Sequence, residues 1–105
     1  MRADKIKDLG FPEFKHSSQR GYLVSLLLKG FKINTHQARY IGIFNLHSNM
    51  STLRERYKLD HDQYNGKAID PNTKQLGKWH VITVWMNIEQ REAYKKRKKA
   101  PNRKK

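Results

Sequence analysis

Apolar positions recur every three or four residues in the first half of the chain and alternate in the second, which predicts helices followed by strands. In "SQRGYLVSLLLKG" Leu23, Leu26 and Leu27 share one helical face. Ser17 or Ser18 offers the N-cap, and Gly30 is the residue beyond the C-terminus that takes positive φ cheaply. "FKI" allows a single extended rung. Asn34 then caps a second helix, Gln37 is placed to reach back to the cap's backbone N–H, Ala38 and Ile41 turn inward, and Gly42 ends the helix. A helix of about two turns does not persist alone in water, so this one must pack on its neighbours. A third helix is predicted over residues 45–57. At about 100° per residue, Leu46, Met50, Leu53 and Tyr57 fall within roughly 60° of one another and form a core stripe. The opposite side carries Ser48, Ser51, Thr52 and Glu55, with His47 and Arg54 on one shoulder and Asn45, Asn49 and Arg56 on the other.

After Leu59 the period shortens. "HDQYNGKAI" and "GKWHVITVWM" read as two strands, and "DPNT" between them is a turn signal with Pro71 at its second position. Both faces of "WHVITVW" are apolar, so the helices can be faced either by Trp79, Val81, Thr83 and Trp85 or by Ile82, Val84 and Met86. Residues 1–16, with Gly10 and Pro12 set against a long helix, read as an N-terminal arm that docks through Phe11 and Phe14. Residues 87–105 read as a basic C-terminal extension, amphipathic only through Ile88 and Tyr94, helical at most in its first part and disordered from Lys95. The expected fold is therefore α+β. Residues 17–86 run helix, short helix, glycine turn, longer helix and β-hairpin, the order of a winged helix-turn-helix in which three helices precede a hairpin wing. Ala38 lets the two helices approach closely, Gly42 makes the reversal, and the third helix lies across the second with its outer face free.

Composition narrows the partners. With 105 residues and 36% hydrophobic positions the chain can fill one modest core. No apolar run reaches the roughly 20 residues of a bilayer span, and the beginning, "MRADKIKDLG", has no apolar h-region, so neither membrane nor leader is expected. The absence of Cys removes disulfides and thiolate metal sites and fits a cytoplasmic setting. Net charge is +14, from 23 Lys and Arg against 9 Asp and Glu. The last eleven residues hold eight of the basic side chains, which leaves 15 basic against 9 acidic residues elsewhere, a net +6. The body is basic in its own right, as a nucleic-acid-binding surface requires.

Candidate chemistry then divides by reach. Asn45, His47, Ser48, Asn49, Ser51 and Thr52 are candidate base readers on the third helix, Asn being suited to a bidentate contact on adenine. Arg54, Arg56, Lys67, Lys74 and Lys78 are candidate phosphate contacts on either side. Lys95, Lys96, Arg97, Lys98, Lys99, Arg103, Lys104 and Lys105 would add sequence-independent affinity that falls with salt. Five histidines invite a metal, and His61 lies between Asp60 and Asp62, but strand alternation turns it away from both carboxylates. The aromatic side chains, Trp79 among them, fall mostly at inward or strand positions and read as core rather than as stacking platforms. There is no Gly-rich phosphate loop, no G-x-S-x-G elbow and no Cys nucleophile, so neither enzyme activity nor a cofactor or metal is expected.

Residues 19–85 resemble the small winged helix-turn-helix DNA-binding domains common in bacteriophages and mobile elements. The resemblance lies in "LVSLLLKG", "INTHQA", the "GI" turn and "TLRER". Where that family often has Arg early and midway in the recognition helix, this chain has Asn45 and Asn49, and Tyr57-Lys58 stands in place of a Gly-Tyr pair. The resemblance implies a sequence-specific double-stranded DNA-binding protein, a small phage or mobile-element transcriptional regulator in a bacterial or phage-infected cytoplasm, on the nucleoid when bound. A homodimer on a repeated site fits, because one recognition helix reads only a few base pairs. Two alternatives stay open: an architectural, replication or excision factor, and a protein-interaction module that inhibits a host nucleic-acid enzyme.

Overall fold

A computed structural model describes residues 2–13, 15 and 18–99, with side chains through residue 97. The elements in order are α1 (Ala3–Asp8), α2 (Gln19–Leu28), β1 (Ile33–Asn34), α3 (Thr35–Ile41), α4 (Leu46–Tyr57), β2 (Asp62–Gly66), β3 (Ile69–Asp70), β4 (Gln75–Leu76), β5 (Val81–Trp85) and α5 (Ile88–Lys99). Among the described residues this is an α+β domain of five helices and two small antiparallel sheets.

Local signals place the helices. Ser18 caps α2 by accepting the Gly21 N–H. At α3 the capping box is complete: Asn34 Oδ1 accepts the Gln37 N–H at 2.8 Å, and Gln37 Oε1 accepts the Asn34 N–H at 3.0 Å. Gly42 ends α3 at φ +108°, with its own N–H on the Arg39 carbonyl and the Ile43 N–H on the Ala38 carbonyl. Only a left-handed residue brings both N–H groups back onto the last turn, and the reversal drops Ile43 into the core beside Ala38. The same pair of bonds closes α2 at Gly30 and seats Phe31.

The core is built from Leu23, Leu26 and Leu27 of α2, Ile33 of β1, Ala38 and Ile41 of α3, and Leu46, Met50 and Leu53 of α4. Val84 and Met86 close it from the sheet. The three-stranded sheet has the order β1-β5-β2, with Val84 between Ile33 and Gln63. The face of β5 that meets the helices is therefore Ile82, Val84 and Met86, and Trp85 lies on the other face under the Lys32 ammonium, 4.9 Å from the ring centroid.

Several expectations need correction. Tyr57 was assigned to the core stripe, yet it is 48% exposed, because the stripe's buried contacts end at Leu53. The two long strands are each broken in two: between the Gly66–Val81 and Ile69–Leu76 pairs, residues 67–68 face residues 77–80, and the unequal lengths interrupt the ladder. Trp79 falls in the longer side of that interruption and is 78% exposed, not core. The N-terminal arm carries a short helix and joins the core through Ile6 and Phe11, whose ring meets Phe31 edge-on at 5.5 Å. Phe14, the other expected anchor, lies outside the described residues.

The largest correction concerns the tail. Residues 95–99 are not a loose continuation but the last part of α5. Asn87 and Gln90 cap α5 with the same reciprocal bonds as Asn34 and Gln37, at 2.8 and 2.9 Å. Tyr94 is buried against the core, and Arg97 donates to the Lys58 carbonyl at the end of α4. Arg103, Lys104 and Lys105 lie outside the described residues, as do the side chains of Lys98 and Lys99.

Candidate functional site

The first two turns of α4 are held from both ends. Asn45 caps the helix: its Oδ1 accepts the Ser48 N–H at 3.3 Å, and its carbonyl accepts both the N–H and the Nδ2 of Asn49 at 3.0 Å. Asn49 Oδ1 in turn accepts from Arg20 Nε at 3.3 Å across the gap to α2. The Asn49 amide is thus half-buried and fixed in orientation, with one N–H and one oxygen lone pair left over. His47, Ser48 and Ser51 are exposed, Thr52 is half-buried, and among the described residues the side chains of all four are without a hydrogen-bond partner. A solvent-facing strip of unengaged hydroxyl and imidazole groups follows beside the bonded Asn45 and Asn49 amides, with no Lys or Arg from Asn45 through Leu53.

The expected phosphate contacts separate into three groups. Arg56 is exposed on α4 beyond the strip. Arg54 instead bends toward β2, with its guanidinium 3.5 Å from both the carbonyl and Nε2 of His61. Lys67, Lys74 and Lys78 are exposed around the hairpin tip. That tip is folded onto the N-terminal end of α3 rather than projecting freely. A Cβ added to Gly77 would lie 2.6 Å from His36 Nε2, and Lys74 shares a cleft with Asp8, Asn34 and Gln37. Lys74 itself takes φ +61° where its N–H returns to the Asp70 carbonyl at 2.7 Å, closing the turn that "DPNT" predicts.

His61 lies immediately before β2 and apart from both flanking carboxylates. Its ring is 7% exposed, with Nε2 3.2 Å from Gln63 Oε1, whereas Asp60 is exposed and the Asp62 carboxylate accepts from Asn87 and Gln90. Burial pushes the His61 pKa down and Arg54 pushes it the same way, while the Gln63 bond and Asp62 oppose them. The ring sits between α4 and the sheet, where burial favours its neutral form. Among the described residues no group of three His, Cys, Asp or Glu side chains converges as a metal site, and no helix is long and apolar enough to cross a membrane.

Three features around the candidate site are missed by the sequence reading. Arg20 orients Asn49, yet it lies 29 positions away and has no local signature. Trp79 stands exposed between Lys78 and His80 because of the uneven hairpin, a length mismatch that strand propensity does not reveal. The helix α5 did have a signal, since "NIEQ" repeats the Asn-x-x-Gln spacing of "NTHQ".

Comparison with known proteins adds no relative: no family model matches the chain, and neither the curated proteins nor the solved structures contain a significant match.

Proposed function

We propose that the protein binds double-stranded DNA sequence-specifically as a winged helix-turn-helix domain, with α4 in the major groove and the β2–β5 hairpin as its wing. The observation that carries this reading is the Asn45–Thr52 strip: short polar side chains, free of cationic residues, on a helix whose core face is fixed by Leu46, Met50 and Leu53. Base edges are discriminated by such donors and acceptors, while charge serves phosphates and carries no sequence information. Arg56 beyond the strip and the lysines of the hairpin tip supply that charge. A small phage or mobile-element transcriptional regulator is the biological role this reading favours, acting on DNA as a monomer or on a repeated site as a dimer.

One observation favours an architectural, replication or excision factor within the same class. Trp79 presents 78% of its surface to solvent next to Lys78, and an exposed apolar side chain flanked by cations is the kind of wedge that unstacks a base step and bends DNA. Circular-permutation bending assays separate the two roles, since a wedge predicts a bend that Trp79→Ala removes. Selection from random duplexes tests the class: a recoverable motif at near-physiological salt supports sequence reading, and enrichment of none contradicts it.

A further inference from the structure

The helices α2, α4 and α5 leave an open groove of about 770 Å³ between them, with Asn49 among its lining residues. Its floor is apolar and comes from all three helices: Val24 and Leu28 from α2, Leu53 and Tyr57 from α4, and Tyr94 from α5. Arg20 and Lys95 stand among its lining residues, and none of those residues is acidic. Its size lies within the range of small-molecule sites, about 300–1,000 Å³, and an apolar bed with a few convergent polar groups is their usual composition.

We infer that this groove binds a small anionic amphiphile, an aromatic or long-chain aliphatic acid whose body lies on Val24 and Leu53 and whose charged end pairs with Lys95, on α5 beside Tyr94. Charge decides the occupant. A second copy of the chain would bring another +14 against this one and set cationic rims face to face. A neutral apolar ligand would make no use of the Lys95 charge at the rim. Tyr57 gains a role here: its exposure, unexplained by core packing, provides one wall of the groove. The site also touches the proposed DNA-reading helix, because Arg20 holds Asn49. A ligand body that extends along the groove reaches the Arg20–Asn49 bond, and if the DNA-binding reading holds, ligand and DNA are then coupled reciprocally.

The test uses the full chain without DNA, so its result does not depend on that reading. Fluorescence titration with 8-anilinonaphthalene-1-sulfonate, an anionic aromatic amphiphile, is compared with N-phenyl-1-naphthylamine, which has the same rings without the sulfonate. The inference predicts saturable one-site binding of the sulfonate, displacement by a long-chain fatty acid, and much weaker binding of the neutral probe. Lys95→Glu, on the exposed rim, should weaken the sulfonate roughly fivefold with an unchanged melting curve. Val24→Trp should fill the groove and abolish binding. Equal affinity for both probes, or a sulfonate affinity unmoved by Lys95→Glu, would overturn it. Self-association in sedimentation that Val24→Trp abolishes would assign the groove to a second copy and overturn it too.

Discussion

Arg20 Nε and Asn49 Oδ1 meet at 3.3 Å between α2 and α4, and the bond fixes which way the Asn49 amide points. An Asn that reads adenine must present its oxygen and its nitrogen in the correct order, so a residue that sets this order takes part in reading without touching the base. Arg20→Ala should lower affinity for the preferred site by about 1–2 kcal/mol while changing non-specific binding less. A double-mutant cycle with Asn49→Ala checks it: the two losses should overlap strongly, and simple additivity would separate Arg20 from the reading function.

The hairpin rests on α3 where Gly77 lies against the His36 ring. Gly77→Ala would place a Cβ 2.6 Å from His36 Nε2 and 3.4 Å from the Ala68 carbonyl, so it should destabilise the fold by about 1–3 kcal/mol. Shortening the ring in a Gly77→Ala, His36→Ser protein should restore part of the loss. Urea unfolding of the parent chain and the two variants measures it, and absence of any rescue would mean that the backbone contact, not His36, dominates.

Acid should loosen the domain through His61. Its folded pKa lies below the ordinary value because burial and Arg54 disfavour the imidazolium, with Gln63 and Asp62 opposing. Stability from this group is complete above the unfolded pKa of about 6.5. Below it the unfolded chain takes up the proton first, and stability is lost as pH falls toward the folded pKa. His61→Gln should flatten the profile between about pH 7 and pH 5 relative to the parent chain, as read by chemical denaturation at each pH. Parallel profiles would show that the other histidines or the carboxylates control acid stability.

Lys58 ends α4 in the left-handed region at φ +55°, where a Cβ is disfavoured. Lys58→Gly should raise the melting temperature by an amount corresponding to about 1 kcal/mol or less, since relief of backbone strain is partly offset by the entropy of glycine. The Arg97 contact uses the Lys58 carbonyl and should survive the change.

The helical half was legible because its signals are local. Asn34-x-x-Gln37, Ala38, Gly42 and the Leu46-Met50-Leu53 stripe each carry their own geometry, and the caps and buried positions follow from them. The sheet half was less so: both faces of β5 are apolar, and only the pairing of Val84 with Ile33 decides which one is covered. Tyr57 and Trp79 were misplaced for a related reason, as large aromatics at periodic positions suit a core equally well whether or not a partner surface lies opposite. For Lys95 to Lys99 charge density outweighed a readable cap, although cationic side chains can line the outer face of a helix whose inner face needs only Tyr94. The uncharged strip was visible as a gap in charge, but the bond that orients Asn49 was not, because it depends on the angle between two helices.

The α5 helix changes how tail charge must be tested. Truncation at residue 95 would remove Arg97 from the end of α4 and part of α5 with it, confusing stability with charge. Removal of residues 100–105 avoids the described helix and takes away three cationic side chains. The most direct measurement is motif selection from random duplexes at near-physiological salt for the parent chain, a Ser48→Ala, Asn49→Ala double variant and the 1–99 chain. If α4 reads DNA, the parent enriches one motif, the helix variant changes its base preferences, and the shortened chain keeps the motif with weaker affinity and a shallower salt slope. An unchanged motif in the helix variant, or a motif lost only with residues 100–105, would contradict it.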